Sequence, residues 1–265
     1  MSEAIQAIDV HAHFGTYIGA KFALTGELMS GEVEVVLERA RAANTKLTIV
    51  SPLEALMPRL HGDPVAGNMH AAEVVAQTDG LMQWVVVDPR KAKTFGQAAD
   101  LLERAKTAGI KIHPEEHGYP IREHGEAIFQ FAAEHQAVVQ SHSGEQNSLP
   151  ADFVPFADAF PEVVLIISHL GCGWDDDPTY QVRAIQKSRH GNMFTDTSSA
   201  KSITSGLIEW AVREVGAERI LYGTDSPLHF APMQRARIDR ADIPDSDKHL
   251  ILHDNAARLL GLAGR

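Results

Sequence analysis

The sequence contains a single cysteine, Cys172, in 265 residues. An internal disulfide is therefore excluded, and so is a zinc site built from several thiolates. The scarcity also fits a reducing compartment. Basic residues are outnumbered, 24 Lys and Arg against 35 Asp and Glu, for a formal net charge of −11. An acidic surface repels phosphate backbones, and no Lys/Arg cluster offsets it, so no nucleic-acid partner is expected. Arg235, Arg237 and Arg240 come closest, but Asp239 and Asp242 interleave with them, which is the pattern of a solvated helix face. No apolar run approaches the roughly 20 residues that cross a bilayer. The first residues carry Glu3 and lack a basic stretch followed by an apolar one, so no secretory signal is read there. A soluble cytoplasmic protein, with neither membrane nor nucleic acid as a partner, is the expectation.

Low-complexity tracts and linkers are also missing, and residues 1–265 read as one domain with enough apolar residues, 44%, for a large core. Short runs rich in Val and Ile alternate along the chain with longer amphipathic stretches, the pattern of a parallel sheet with crossover helices. Strand candidates lie at 7–13, 47–52, 83–89, 109–114, 137–143, 163–170, 192–198 and 219–225. Helical patterns occupy 33–43, 66–78, 97–109, 124–135, 152–160, 179–189 and 204–215, with Gly109 as a stop signal. A further helical region is interrupted by Pro232 and Pro244 and resumes as DNAARLLGL, with Asp254 as its expected N-cap. Eight strand–helix units in this length predict a (β/α)8 TIM barrel. A doubly wound open sheet would carry a Gly-rich phosphate loop after the first strand, and none is present. The glycine-bearing stretch 14–32 is read as a loop over the barrel mouth.

Polar residues then stand out at the ends of apolar runs. His11 and His13 are one residue apart on the first strand, so their side chains leave on the same face. Lys111, His113, His142, His169, Asp196 and Asp225 end later strands. In a barrel those ends share one mouth, and polar groups buried there need partners. Imidazoles and a carboxylate converging in a mouth suit a divalent transition metal, most simply zinc. Such an ion can lower the pKa of water to about 7. The remaining histidines, His61, His70, His117, His124, His135, His190, His229, His249 and His253, fall on helices and loops and read as surface or helix-end residues. Arg90 could hold a substrate carboxylate or close a loop salt bridge. Trp174 could stack on a flat substrate or simply pack its loop, and Cys172 shows no sign of activation.

These anchors resemble the amidohydrolase superfamily: DVHAH at 9–13, QSHSG at 140–144, SHLG at 168–171, YGTDSP at 222–227 and HDNAARLLGL at 253–262. The similarity is to the amidohydrolase-related branch that includes amino-carboxymuconate-semialdehyde decarboxylase. The resemblance implies His11, His13, His142 and Asp225 as metal ligands, with Asp225 and His169 catalytic. It implies one divalent ion, zinc or manganese, since the carboxylated lysine or glutamate of binuclear members is not clearly matched by Lys111. Lys111, His113, Arg90 and Trp174 are then candidates for binding a small-molecule substrate, and Asp196 for orienting a ligand histidine. A homodimer is left open. The expected activity is hydrolysis of a small amide, ester or lactone, with non-oxidative decarboxylation of a small carboxylic acid as the alternative. TatD-type nucleases and histidinol-phosphatase-like phosphoesterases fit less well, because their sites favour a glutamate after the fourth strand or a more basic mouth. A non-catalytic metal- or ligand-binding barrel ranks below all of these.

Overall fold

A computed structural model describes residues 5–262 of the chain. Its centre is one sheet of eight strands in sequential order. They are β1 (Ala7–Phe14), β2 (Thr45–Pro52), β3 (Leu81–Val86), β4 (Thr107–Ile112), β5 (Val139–Ser141), β6 (Leu165–Ile167), β7 (Met193–Asp196) and β8 (Ile220–Leu221). All neighbours pair parallel. Between β8 and β1 the Val10 N–H donates to Tyr222 O at 3.0 Å, and the Asp225 N–H to His11 O at 2.7 Å. The sheet thus closes on itself as a (β/α)8 barrel.

The Val- and Ile-rich strands are buried on both faces, which is why they read as continuous apolar runs. Inside the barrel, Ile8, Val10, Ile49, Trp84, Ile166, Phe194 and Leu221 pack together. Outside, Val85, Ile110, Ile112, Val139 and Leu165 meet the helices Ala92–Leu102, Ile121–Glu134 and Pro150–Ala159 through Leu101, Phe129 and Phe153. A closing helical run at 245–259 brings Ala256 and Ala257 against the inner core. Its buried Asn255 amide donates to Ala217 O at 2.8 Å and to Ile220 O at 2.9 Å, pinning the run to the start of β8.

β1 contains the feature that aims the mouth residues. Its register with β2 shifts between Asp9 and Ala12. Before the shift, Ile8 and Val10 belong to the inner core; after it, Ala12 and Phe14 pack outward with Val36 and Val75. The alternation therefore changes phase, and His11 and His13 turn inward. A bulge of this kind re-aims side chains near sites. The His11 N–H that the irregular ladder leaves free donates to Asp9 Oδ1 at 3.0 Å.

Three expectations need correction. The helix placed at 97–109 runs over Ala92–Leu102, and Gly109 lies within β4, not at a helix stop. A Cβ at Gly109 would stand 2.3 Å from Val138 O and 2.7 Å from the Trp84 ring, so close packing, rather than helix termination, is what requires glycine. Asp254 makes no capping hydrogen bond, because the helical run passes through it from 250 onward. The stretch 14–32 is not all loop: it contains the helix Ala23–Met29, and its base is tied by Gly15 and Gly31, whose N–H groups donate to each other's carbonyls. Most strands also end earlier than expected, so His113, His142, His169 and Asp225 stand just past the ladder.

The helices after β7 and β8 are joined by Glu209, which accepts from Arg237 Nη1 at 3.1 Å and from the Asp242 N–H at 3.1 Å. Arg237 is the main cause that holds the Glu209 carboxyl down at about 2. A depressed folded-state pKa stabilises the fold above the ordinary carboxylate range and loses that contribution as pH falls. Urea titrations of wild type and Glu209→Gln should therefore differ most at neutral pH and converge as pH drops from 4.5 toward 2.

Candidate metal centre

His11 and His13 meet edge to face, ring centroids 5.1 Å apart. Each has its Nδ1 turned to an acceptor. His13 Nδ1 lies 3.1 Å from Ser51 O and 3.0 Å from Ser51 Oγ; His11 Nδ1 lies 3.0 Å from Asp196 Oδ2. A carbonyl and a carboxylate only accept, so both Nδ1 atoms carry the proton and both Nε2 atoms present lone pairs. Those lone pairs converge on Asp225 Oδ1, at 2.9 Å from His13 Nε2 and 3.5 Å from His11 Nε2. The Lys111 ammonium, 3.0 Å from His11 Nε2, meets one of these acceptors, and the His13 Nε2–Asp225 contact is left without a donor. The donor set, two neutral imidazoles and one carboxylate within 4.8 Å of one another, suits a single divalent ion such as zinc or manganese. Burial, aided by the Lys111 charge, lowers the His11 pKa to about 4, which keeps this imidazole neutral.

A second group, His11, His169 and Asp196, is equally compact. Its carboxylate is already committed. Asp196 accepts from the backbone N–H groups of His169 and Ser198, both at 3.1 Å, from the Ser198 hydroxyl, and from Gln140 Nε2 at 3.3 Å, besides facing His11. Despite burial, the neighbouring imidazoles and these donors hold it well below the usual carboxylate range. Asp196 therefore orients the His11 ring, and the first group is the better candidate to hold an ion.

His142 belongs to neither group. Its Nε2 lies 2.8 Å from Glu145 Oε2 and its Nδ1 lies 3.0 Å from His169 Nε2. His169 Nδ1 continues to Ser198 Oγ at 2.7 Å. A hydrogen-bonded chain thus runs from Glu145 at the rim through both histidines to Ser198. His169 and Asp225 share one further property: their backbones adopt φ of 73° and 57°, a left-handed conformation uncommon for residues with a Cβ. Strain of this sort persists where surrounding contacts fix it, and here it swings both side chains into the mouth.

Lys111 is buried, with Nζ 3.0 Å from His11 Nε2 and 3.0 Å from Gln140 Oε1. Burial brings its pKa down to about 8, against the pull of Asp196 and Asp225. His11, His13, Lys111, His142, His169 and Asp225 open on a cavity of about 210 Å³. Leu53, Leu56, Met57 and Leu228 form its apolar wall, and Tyr17, Glu116 and Glu145 its outer rim. His113 lines it too. Arg90 does not: it forks onto Asp88 through Nε and Nη2, both at 3.1 Å. Trp174 is 55% exposed and also lies outside the lining, and burial raises the Cys172 thiol pKa.

A family model for amidohydrolases matches residues 8–262. The chain belongs to the amidohydrolase family. Gamma-resorcylate decarboxylase of Rhizobium radiobacter is 30% identical over 122 residues, which is 41% of this chain and only 37% of that protein. Among solved structures, 2,6-dihydroxybenzoate decarboxylase from Rhizobium superposes with a TM-score of 0.74 at 13% identity, covering 98% of this chain and 99% of that one. The 5-carboxyvanillate decarboxylase of Sphingomonas paucimobilis gives 0.74 at 13%, over 97% and 99%. A dihydroxybenzoic acid decarboxylase of Polaromonas, bound to manganese and 2-nitroresorcinol, gives 0.74 at 15%, over 98% of each chain. At such identities the likeness is one of fold. Among the described residues no helix is long and apolar enough to cross a membrane.

Within this amidohydrolase site, several participants went unread in the sequence. Glu145 and Ser198 lie in loops and have no periodic signature. His229, set aside as a loop histidine, stands 3.5 Å from Asp225 Oδ2. Gln140, inside the QSHSG stretch, was detectable as a polar residue interrupting an apolar strand. Because Asp196 fixes the His11 ring, Asp196→Asn should weaken manganese or zinc binding by roughly 10- to 100-fold. Chelator competition on the purified protein measures this; unchanged affinity would place the ion elsewhere.

Proposed function

We propose that this amidohydrolase-family protein is a metal-dependent decarboxylase of a small aromatic or unsaturated carboxylic acid, releasing CO2 without oxidation. The observation that carries the reading is the pairing, in one cavity, of a buried ammonium and an apolar wall. Lys111 supplies a fixed positive charge beside the His11, His13 and Asp225 cluster, while Leu53, Leu56, Met57 and Leu228 offer a surface for a flat hydrocarbon body. An acid with its carboxylate toward Lys111 and its ring on the leucines satisfies both halves. The relatives named decarboxylases favour the same choice over hydrolysis.

His11, His13 and Asp225 would hold the divalent ion, which supplies Lewis acidity toward an oxygen of the substrate. The protein's own residues supply the rest. The apolar wall excludes water and fixes the ring plane. Lys111 orients the carboxylate that leaves. The carbon losing CO2 must take up a proton, and we assign its delivery to His169, which lines the cavity and would turn Nε2 from His142 toward that carbon; the chain through His142 to Glu145 at the rim supports the assignment. General acid catalysis of this kind contributes about 10²- to 10⁴-fold.

Hydrolysis remains the second reading, because the same His11, His13 and Asp225 set that would hold the ion could equally present it with a water molecule in place of a carboxylate. One assay separates the two. Manganese- or zinc-loaded protein is offered hydroxybenzoates, carboxyvanillate, aryl esters and lactones, with CO2 and organic products measured together. CO2 released in step with the decarboxylated arene, abolished by chelation and reduced at least 100-fold in His169→Asn, is the expected result. Turnover confined to esters or lactones, with no CO2, assigns hydrolysis.

A further inference from the structure

Lys111 meets His11 at the one atom that ion binding also needs. The ring proton of His11 sits on Nδ1, which faces Asp196 Oδ2 at 3.0 Å, so Nε2 has a single lone pair in the plane of the ring. Lys111 Nζ stands 3.0 Å from that nitrogen, and an ammonium can only donate to it. An ion held by His11, His13 and Asp225 takes the same lone pair, and a lone pair serves one partner at a time. On the other side, the polar neighbour of His13 Nε2 is Asp225 Oδ1, at 2.9 Å, which belongs to the ion-holding set and competes with nothing.

Lys111 is also anchored so that it can let go of His11. It is buried, and a second hydrogen goes to Gln140 Oε1 at 3.0 Å. Gln140 is fixed in turn, its Nε2 donating to the Val10 carbonyl at 2.8 Å. That anchor stays when the His11 contact opens, and Nζ turns toward the cavity that Lys111 already lines. Charge acts in the same sense. An ammonium and a divalent ion at one buried nitrogen repel strongly, because little solvent screens them.

We infer that Lys111 is a built-in competitor for the ion: its ammonium caps His11 Nε2 in the ion-free barrel and is displaced, pivoting on Gln140, when the ion is taken up. The cap gives a buried acceptor its donor before an ion arrives, and it lowers the affinity of the completed site. This role rests on His11, His13 and Asp225 holding the ion. It concerns loading alone, so it holds whether the substrate is an acid, an ester or a lactone.

The test measures zinc affinity of the full chain by competition with a chromophoric chelator. Lys111→Met removes the ammonium from a side chain of similar shape, and Lys111→Gln removes the charge but keeps a donor. Both should bind zinc about tenfold tighter than wild type, or more. A folded Lys111→Met that binds zinc no tighter, or more weakly, makes Lys111 a support for the site and overturns the inference. A second measurement needs no variant. In ion-free wild type, with both side chains assigned from the backbone, a nuclear Overhauser contact should join the Lys111 Hε protons to the His11 Hε1 proton, and zinc saturation should abolish it. A contact that survives saturation, or is missing from the ion-free protein, overturns the inference and leaves the metal centre standing. Zinc bound by neither wild type nor variants overturns the metal centre, and this role with it.

Discussion

The site depends first on the carboxylate of Asp9. It accepts the His11 N–H at 3.0 Å, the Thr224 N–H at 3.1 Å and the Thr224 hydroxyl at 2.6 Å. These contacts do two things at once. They satisfy the amide that the bulge in β1 takes out of the ladder, and they clamp β1 to the loop after β8. Without the bulge, the residues of HAH would keep the phase of Ile8 and Val10, and the histidines would face the helices. Without the clamp, Asp225 would not meet them. Burial drives the Asp9 pKa up to about 7 against the three hydrogen bonds, so the clamp is held at the limit of what this interior tolerates for a charge.

Around that clamp the site is a polar island in an apolar barrel, and nearly every member is spoken for. Ser51 and Asp196 fix the imidazole tautomers, Gln140 reaches Lys111, Asp196 and the Val10 carbonyl, and Ser198 joins His169 to Asp196. A buried polar network confers rigidity only when it is this complete. Among the groups that face the cavity are the Nε2 atoms of His11 and His13, the Lys111 ammonium and the Asp225 carboxylate.

The barrel and the shared face of His11 and His13 were legible because both rest on short-range regularities. Val/Ile runs alternating with amphipathic stretches announce the strands and helices, and His-x-His on a strand announces a shared face. What escaped reading came from elsewhere in the chain or from local packing. Gly109 carries the mark of a helix stop, yet the nearness of Val138 O decides its role. Asp9 sits in the quoted DVHAH stretch, but its partner Thr224 is 215 positions away. Glu145 and Ser198 acquire meaning only from the histidines that fold onto them. Arg90 read equally well as a carboxylate clamp or a loop ion pair, and the neighbouring Asp88 takes it. Sequence spacing reports which face a side chain leaves from; it does not report which partner is waiting there.

The same long span has a consequence for biogenesis. His11 and His13 emerge from the ribosome early, while Asp225, the β8 segment and the Asn255 anchor emerge late. Chains are made at about 5–20 residues per second, so the early histidines spend at least several seconds without their carboxylate. During that interval the nascent polypeptide offers an ion a histidine pair alone, a poor and unselective chelate. The full donor set therefore forms only after the segment carrying Asp225 has folded back onto β1, and selectivity for the ion belongs to the closed barrel rather than to the histidine pair.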